Sequence, residues 1–241
     1  MTSSRPPVHL MGAASGDAAD DLALGTALLH AVDAAADGRI VRTYRPVPTA
    51  AFSRRETHLP GFDRAVSAAA AAGFAPVIRP TGGRAVVYDA GSLVLDVLEP
   101  AEPHRGHREA YGAVSGAIVA ELRALGVDAG VGAVPGEYCP GDFSIGARGA
   151  VKLAGVAQRA TRSARLVGVV LTVLPSPAAA EVLTEVNAEL GLEWDPATCG
   201  SVAQELGAPI PPDLERRLVA ALAPGAEVVD RHRWLRRAAV G

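Results

Sequence analysis

The chain has 241 residues, of which 49% are hydrophobic and 20% charged, and its formal net charge is −3. This composition supports a folded domain with a substantial core and excludes a mainly disordered chain. It also excludes a basic nucleic-acid-binding surface, and the sequence has no run of about 18 apolar residues to span a membrane. Two cysteines are too few for a disulfide scaffold. The N-terminus lacks a signal-peptide pattern, so we expect a cytoplasmic protein.

Periodicity and turn residues predict the secondary-structure elements in chain order. Residues 1–17 are small and polar and are expected to be frayed. Helices are predicted at residues 19–36, 61–72, 107–125, 176–190 and 213–222. Strands are predicted at residues 39–45, 76–79, 85–88, 93–98, 151–154 and 166–173, and the segment 130–149 is loop-rich around short strands.

The order of these elements, without a repeat or a linker, predicts one α/β domain over residues 18–225, with a mixed β-sheet flanked by helices. Residues 1–17 form a flexible N-terminus in this interpretation, and residues 226–241 form a basic C-terminal tail. The segment 231–237 within that tail is rich in arginine. It is interpreted as a solvated helix face, with a docking patch for an acidic partner protein as the alternative.

The first chemical motif lies between two predicted strands. Gly82 and Gly83 allow a ligand to approach the backbone closely and offer N–H groups to an anion. Arg79 and Arg84 flank them and can donate charge-assisted hydrogen bonds to a phosphate or carboxylate. An ordinary turn with exposed arginines would have the same sequence. The glycine patterns of Walker loops and of dinucleotide-binding loops are both missing.

The second motif starts at Lys152, the single lysine among 23 basic residues. Where arginine is used almost everywhere else, a retained lysine suggests a position that needs a compact, deprotonatable ammonium, and chance is an equal alternative. Small residues follow it and leave its side chain unobstructed. Nearby arginines or an apolar pocket would lower its pKa. A lysine that points from a sheet edge into water is the other interpretation.

The third motif is the Gly/Pro-rich loop around Cys139. Cys139 could be a nucleophile if a cationic neighbour lowers its pKa, or it could be a small buried hydrophobe. Cys199 has no comparable setting and is interpreted as structural. His104 and His107 have no nearby cysteine or carboxylate ligands and are interpreted as surface residues, so no metal site is predicted.

Two of these motifs, in this order and at this separation, resemble the biotin/lipoate protein ligase superfamily, specifically its lipoate–protein ligase and octanoyltransferase branch. The motifs are Arg79-x-Thr81-Gly82-Gly83-Arg84-Ala85-Val86 followed by Asp89, and Lys152-x-x-Gly155-x-Ala157-Gln158-Arg159. The likeness covers roughly residues 17–205. It includes the opening helix and the strand Arg42-x-Tyr44-Arg45-Pro46.

The resemblance implies a catalytic domain related to biotin protein ligases and to the cores of class II aminoacyl-tRNA synthetases. Ligases of this family use ATP and Mg²⁺ to activate lipoate or octanoate as an acyl-adenylate, and then pass the acyl group to a lysine. The implied acceptors are apo lipoyl domains of 2-oxoacid dehydrogenase complexes and the glycine cleavage H protein. Acyl carrier protein is the implied donor for a transferase.

The resemblance also implies the roles of individual residues. Lys152 would be a catalytic residue that binds the acyl carbonyl and phosphate oxygens, and fixed donors of this kind stabilise a mixed anhydride. The rest of the two motifs would bind ATP or the acyl-adenylate. These residues are Arg79, Thr81, Gly82, Gly83, Arg84, Ala85, Val86, Val87, Asp89, Gly155, Ala157 and Gln158.

The chain departs from the ligase pattern at two positions. Arg84 stands where the ligases have a third glycine, as it does in transferase relatives, and Tyr88 stands where they have a histidine. In one transferase branch a cysteine in the loop before the lysine motif forms an acyl-thioester. Cys139 falls in that region, although its neighbours differ from that branch.

Three functions follow, and the paired motifs favour an ATP-dependent lipoate–protein ligase. The first alternative is an ATP-independent octanoyltransferase that takes the acyl group from acyl carrier protein through Cys139, with Lys152 as general acid and base. The second is a non-catalytic subunit that binds an acyl group or a carrier. A biotin ligase is disfavoured because the expected Gly-Arg-Gly-rich biotin loop is missing.

Overall fold

A computed structural model describes residues 6–12, 14–32, 38–101 and 106–230. The strands are β1 Val8–Leu10, β2 Ile40–Tyr44, β3 Thr49–Phe52, β4 Ala75–Ile78, β5 Val86–Tyr88, β6 Ser92–Pro100, β7 Ala129–Val131, β8 Ile145–Ala147, β9 Val151–Ala160, β10 Ala164–Thr172 and β11 Glu227–Val228. The helices are α1 Ala18–Ala31, α2 Phe62–Ala71, α3 His107–Ala124, α4 Pro177–Leu190, α5 Val202–Leu206 and α6 Leu214–Leu222.

The strands form two sheets. The larger sheet has eight strands in the order β11-β1-β2-β6-β10-β9-β8-β7. β1 runs parallel to β2 and β11, and the remaining neighbours are antiparallel. The smaller sheet has the order β4-β3-β5, with β3 parallel to β4 and antiparallel to β5. The predicted α/β fold with a mixed sheet flanked by helices is confirmed.

The two faces of the larger sheet have different roles. Side chains alternate across a strand, so Val167, Val169 and Leu171 of β10 face the core under α3 and α6. Leu166 faces the other side, where it packs with Leu28 and other residues of α1. The smaller sheet packs against α2 and α4. A space therefore remains between α1, the large sheet and the small sheet, and the candidate site lies there.

Local sequence explains where the best-defined helix begins and ends. The Ser176 side chain accepts a hydrogen bond from the backbone N–H of Ala179, and Pro177 occupies the first turn of α4. Gly191 follows the helix in the left-handed conformation that favours glycine. None of the described helices is both long and apolar enough to cross a bilayer.

The structure differs from the predicted elements at several places. Strand β3 was not predicted because its sequence, Thr-Ala-Ala-Phe, has no alternation of apolar and polar residues. It separates β4 from β5, so the loop at residues 79–85 joins two strands that are not neighbours. Helix α1 ends at Ala31, ahead of the predicted residue 36, and residues 33–37 lie outside the described ranges.

The chain ends also differ from expectation where they are described. Residues 1–17 were expected to be frayed, but they contain strand β1. This strand is ordered because it pairs with β2 and buries Leu10. Strand β11 lies within the predicted tail 226–241. The arginine-rich segment 231–237 is outside the described residues, and the domain limits at 18 and 225 remain a prediction.

Candidate functional site

A cavity of about 500 Å³ lies between α1, the face of the large sheet and two loops. Its volume falls in the range of about 300–1,000 Å³ that is usual for small-molecule sites. Leu22 and Leu29 of α1 and Val94 and Val170 of the sheet give it an apolar wall. The two loops are residues 79–83 and residues 138–144, and they form its rim. The cavity can therefore hold an apolar chain with a polar group at the rim.

The first loop brings Arg79 and Cys139 together at Gly83. Gly83 has a φ of +103°, and a Cβ at this position would be 2.7 Å from Arg79 Nη2 and 2.9 Å from Cys139 Sγ. Arg79 Nη2 and Cys139 Sγ therefore both border the space that a side chain at position 83 would occupy. Arg79 Nη2 donates to the carbonyl of Arg84 at 2.6 Å, and the backbone N–H of Arg84 donates to Cys139 Sγ at 3.2 Å. Only glycine leaves this approach open.

Lys152 is buried beside the same cysteine, so the interpretation as a solvent-facing lysine is wrong. Its ammonium donates to the carbonyl of Cys139 at 2.6 Å and pairs with Glu137 Oε2 at 2.5 Å. It also lies 4.6 Å from the centre of the Tyr138 ring. Lys152 thus contacts three consecutive residues, Glu137, Tyr138 and Cys139, and its ionic partner is a carboxylate. The sequence had suggested nearby arginines or an apolar pocket as its surroundings.

Glu137 fixes the second loop as well as the lysine. Its carboxylate accepts hydrogen bonds from the backbone N–H groups of Val134 at 3.0 Å and Gly141 at 3.3 Å, and from Ser144 Oγ at 2.8 Å. A buried carboxylate with this many donors and a lysine partner is fully compensated. Glu137 lies in the predicted cysteine loop, but the sequence alone did not indicate its role.

The two cysteines have different surroundings. Cys139 lines the cavity. Cys199 does not line it, although its backbone forms an isolated bridge with Lys152. Burial raises the pKa of the Cys199 thiol to about 11, and the nearby Lys152 charge opposes this shift. Cys199 is therefore protonated at neutral pH, which disfavours it as a nucleophile.

Most of the residues predicted to bind ligand do line the cavity, but three do not reach it with their side chains. Arg84 directs its guanidinium to the carbonyl of Glu193 at 3.2 Å. Ala85 is buried in the core of the small sheet, and Asp89 accepts from Ser176 Oγ at 2.5 Å. The predicted residues that line the cavity are Arg79, Thr81, Gly82, Gly83, Val86, Val87, Cys139, Lys152, Gly155, Ala157 and Gln158.

Aromatic residues at the rim were not singled out in the sequence. The rings of Tyr111 and Phe143 stack with centroids 4.9 Å apart, and Tyr138 meets Trp194 edge to face at 5.9 Å. Burial raises the pKa of Tyr138 and Tyr88 well above the usual tyrosine value, so both stay neutral. A cluster of aromatic residues spread over distant segments has no local sequence signal.

Among the described residues, no three His, Cys, Asp or Glu side chains come together as a metal-binding group. His107 contacts Gln158 through its Nδ1 atom at the edge of the cavity. His104 lies outside the described ranges.

Two solved structures have a similar fold. A lipoate-protein ligase A bound with ATP has a TM-score of 0.73 and 18% identity to the chain, with 97% of this chain and 93% of the other covered. A protein of T. acidophilum described as a lipoate protein ligase, with bound lipoic acid, has a TM-score of 0.74 at 18% identity, with coverages of 97% and 93%. The chain thus has the lipoate-ligase fold.

Sequence comparison then gives the family. The family "Lipoyl protein ligase A/B catalytic domain" matches residues 17–220, and the chain belongs to this family. The predicted resemblance is therefore confirmed.

Curated relatives give more specific names. An "Octanoyl-[GcvH]:protein N-octanoyltransferase" of Geobacillus kaustophilus is 34% identical over 74% of this chain and 63% of its own length. A protein of the same name from Exiguobacterium sibiricum is 34% identical over 58% of this chain and 50% of its own length. The match thus spans less than two thirds of the length of these relatives.

Proposed function

We propose that the chain is an acyltransferase that moves an octanoyl or lipoyl group between lysine side chains of lipoyl carrier proteins through a thioester on Cys139. The observation that carries this proposal is the placement of Cys139 at the cavity rim. There its sulfur accepts a hydrogen bond from the backbone N–H of Arg84 at 3.2 Å. Its carbonyl oxygen accepts one from the Lys152 ammonium at 2.6 Å. A thiol with an adjacent proton-carrying group is the usual arrangement for covalent catalysis.

In the first half-reaction, the Cys139 sulfur attacks the carbonyl carbon of the donor amide. A carbon–sulfur bond forms and the carbon–nitrogen bond to the donor lysine breaks. The proton of the thiol passes by way of Lys152 to the leaving amine. Glu137, 2.5 Å from the Lys152 nitrogen, holds this ammonium in place and supports the exchange of the proton.

In the second half-reaction, the amine of the acceptor lysine attacks the thioester. A carbon–nitrogen bond forms, the carbon–sulfur bond breaks, and the proton lost by the amine returns to the cysteine through Lys152. One amide replaces another, so both half-reactions balance without a nucleotide. This agrees with the name of the curated relatives, which gives an octanoyl donor and a protein acceptor.

Arg79 is proposed to stabilise the negative charge that develops on the acyl oxygen in both steps. Its side chain is about nine-tenths buried and lines the cavity, and its Nε atom has no acceptor in the described part of the chain. Its Nη2 atom is tied to the Arg84 carbonyl at 2.6 Å, which fixes the guanidinium beside Cys139. A fixed donor at a developing oxyanion typically contributes a large share of catalysis.

The donor and acceptor follow from the names of the relatives and of one structural neighbour. We propose octanoylated glycine cleavage H protein as donor and lipoyl domains of 2-oxoacid dehydrogenase complexes as acceptors, in the cytoplasm. A bipartite lipoate protein ligase of Thermoplasma acidophilum, solved in a study that includes its E2 lipoyl domain, has a TM-score of 0.71 at 16% identity. Acyl carrier protein remains the alternative donor.

A second candidate is the ATP-dependent lipoate–protein ligase. The observation in its favour is the cavity volume of about 500 Å³, which exceeds what an eight-carbon chain needs and leaves room for part of a nucleotide. In this candidate Arg79 and the Gly82–Gly83 backbone bind the acyl-adenylate, and the Cys139 thiol is not required. Magnesium would enter with ATP as part of the substrate.

Intact-mass spectrometry of an apo lipoyl domain separates the two candidates. One sample contains octanoylated H protein without ATP, and the other contains lipoate, ATP and magnesium. We expect the octanoyl mass gain in the first sample, its loss in Cys139→Ala, and its retention in the matched variant Cys199→Ala. A lipoyl gain only in the second sample would replace the transferase with the ligase. Full octanoyl transfer by Cys139→Ala in the first sample would instead overturn the thioester on Cys139.

A further inference from the structure

A buried carboxylate lies behind the loop that carries Gly83. Glu56 is only 3% exposed and begins the short 3-10 turn Glu56–His58 that follows β3. Its Oε2 atom accepts hydrogen bonds from the backbone N–H of Ser53 at 2.7 Å and from the Ser53 hydroxyl at 2.9 Å. The spacing Ser53-x-x-Glu56 is that of a capping box, in which a glutamate closes the start of a helical turn. This local role accounts for one of the two carboxylate oxygens.

The other oxygen of Glu56 leaves the turn. Its Oε1 atom accepts a hydrogen bond from the backbone N–H of Ala85 at 2.6 Å, across 29 residues of sequence. Ala85 is buried and directly precedes β5, at the end of the loop of residues 79–85. The cap of the turn does not need this contact. Glu56 therefore fixes the position of the loop relative to β3.

The N–H that Glu56 binds belongs to the same peptide as the carbonyl that Arg79 binds. The carbonyl of Arg84 accepts from Arg79 Nη2 at 2.6 Å, and the trans peptide bond joins it to the N–H of Ala85. The two groups of a trans peptide point in opposite directions. The Arg84–Ala85 peptide is therefore held by a cation at its oxygen and by an anion at its N–H. Each charge polarises the peptide so that the other hydrogen bond becomes stronger.

This peptide lies next to the N–H that binds the cysteine. The backbone N–H of Arg84 donates to Cys139 Sγ at 3.2 Å, and only the φ and ψ angles of Arg84 separate it from the Arg84–Ala85 peptide. Fixing that peptide therefore sets the direction of the N–H at the sulfur as well as the place of the Arg79 guanidinium. A hydrogen bond to sulfur favours the thiolate, which is the nucleophilic form of a cysteine.

We propose that Glu56 is a positioning residue for acyl transfer. It acts through the Arg84–Ala85 peptide, which it holds so that the Arg84 N–H meets the Cys139 sulfur and Arg79 stays beside it. Glu56 contacts neither the cysteine nor the cavity, so it has no direct part in the chemistry. The inference rests on the proposed function, in which Cys139 is the nucleophile.

Alkylation of Cys139 by iodoacetamide tests the positioning without the transfer reaction. The Cys199→Ala background leaves Cys139 as the single thiol, because the chain has two cysteines. At pH 7 we expect Glu56→Ala to react about fivefold more slowly than this parent, the effect of weakening roughly one hydrogen bond. A purely structural role would give the opposite sign or no change, since a loosened loop exposes the sulfur.

Glu56→Asp covers the case in which Glu56→Ala does not fold. Its side chain is shorter by one carbon–carbon bond of about 1.5 Å. The carboxylate therefore stays with Ser53 in its own turn and loses contact with Ala85. We expect slower alkylation, as in Glu56→Ala, with a smaller fall in melting temperature.

Ser53→Ala is the matched control. It removes the hydroxyl that donates to Oε2 of the same carboxylate, and the hydrogen bond from Ala85 to Oε1 remains. The alkylation rate of this variant should stay within about twofold of the parent, because the Arg84–Ala85 peptide keeps both of its partners. An equal fall in Ser53→Ala and Glu56→Asp would overturn the proposal.

Steady-state octanoyl transfer gives a second readout. In Glu56→Asp we expect kcat to fall about tenfold, because Arg79 and the Arg84 N–H both lose their fixed positions. The KM for the octanoylated H protein should not change, since Glu56 is buried and does not reach a carrier. A raised KM with an unchanged kcat would contradict positioning of the reacting groups.

The outcomes separate this inference from the proposed function. Parent-like alkylation in every Glu56 variant that folds overturns the positioning role, while octanoyl transfer by the parent still supports the transferase. If the parent shows no octanoyl transfer but its alkylation depends on Glu56 as expected, the acyltransferase is overturned and the positioning of the thiol stands.

Discussion

At the scale of single residues, Lys152 shows why this position has a lysine in a chain rich in arginine. Its nitrogen lies 2.5 Å from Glu137 Oε2, 2.6 Å from the Cys139 carbonyl and 4.6 Å from the Tyr138 ring centre. A compact ammonium fits between these three groups in a buried space. A planar guanidinium is larger, and its five donors would need more acceptors than the space offers.

Gly83→Ala should reduce the proposed acyl transfer at least tenfold, because its Cβ would be 2.7 Å from Arg79 Nη2 and 2.9 Å from Cys139 Sγ. The matched control is Gly73→Ala. Gly73 also has a positive φ, +82°, but no atom lies within 4 Å of its Cβ position. Both variants should lose about 1–2 kcal/mol of stability from backbone strain. Transfer rates and thermal melting test this, and equal activity of the two variants would contradict it.

At the scale of elements, the small sheet depends on a close contact between α2 and α4. Gly61 precedes α2, and a Cβ at this position would be 1.6 Å from the carbonyl oxygen of Glu189 in α4. The aromatic rings of Phe52 and Phe62 pack edge to face at 5.4 Å under the same helix. This contact supports the sheet that places the loop of residues 79–83 over the cavity.

Gly61→Ala should destabilise the protein by about 3 kcal/mol or more, because backbone on both sides must move to relieve the overlap. The control is Gly116→Ala in the exposed face of α3, where no atom lies within 4 Å of the Cβ position. There alanine should stabilise the helix by up to about 1 kcal/mol. Denaturant unfolding measures both values. A small loss for Gly61→Ala would show that the two helices separate easily.

At the scale of the whole molecule, the N-terminal strand β1 is joined to the large sheet and to α6 near the end of the described chain. His9 is buried, and its Nε2 atom lies 2.8 Å from Thr43 Oγ1 of β2. Thr43 in turn donates to Glu215 of α6 at 2.5 Å. Burial lowers the pKa of His9 below its usual value of 6.5, and the charge of Glu215 opposes this shift. His9 is therefore neutral in the folded protein at neutral pH.

A lowered pKa in the folded state makes stability depend on pH. Between that pKa and 6.5 the unfolded chain binds more protons at His9 than the folded chain, so stability falls as the pH decreases through this window. We expect the melting temperature of the parent to fall more between pH 7 and pH 5 than that of His9→Gln. The difference between the two proteins isolates His9 from carboxylates that titrate in both. Parallel melting curves across this range would contradict the prediction.

The sequence by itself determined the α/β class, the family and two of the main site motifs, because these depend on local patterns. Turn glycines and alternating apolar residues specify strands and loops, and Lys152 and Cys139 stand out by residue type and setting. Most helices and strands were located this way. Strand β3 was missed because four similar residues have no period, and tertiary pairing with β4 and β5 decides their conformation.

Only the tertiary structure decided which residues complete the site. Glu137 is 15 positions before Lys152, so no local pattern connects them. The cavity-lining residues Asp21 of α1 and Asp96 of β6 are likewise distant in sequence, and buried Arg42 of β2 pairs with both of them. These charged groups are buried next to one another in the folded chain. Burying an unpaired charge is costly, so each of them is stabilised by a partner of opposite charge. The sequence thus determines the candidate reactive groups, and the packing of α1 and the rim loop on the sheet determines which side chains surround them.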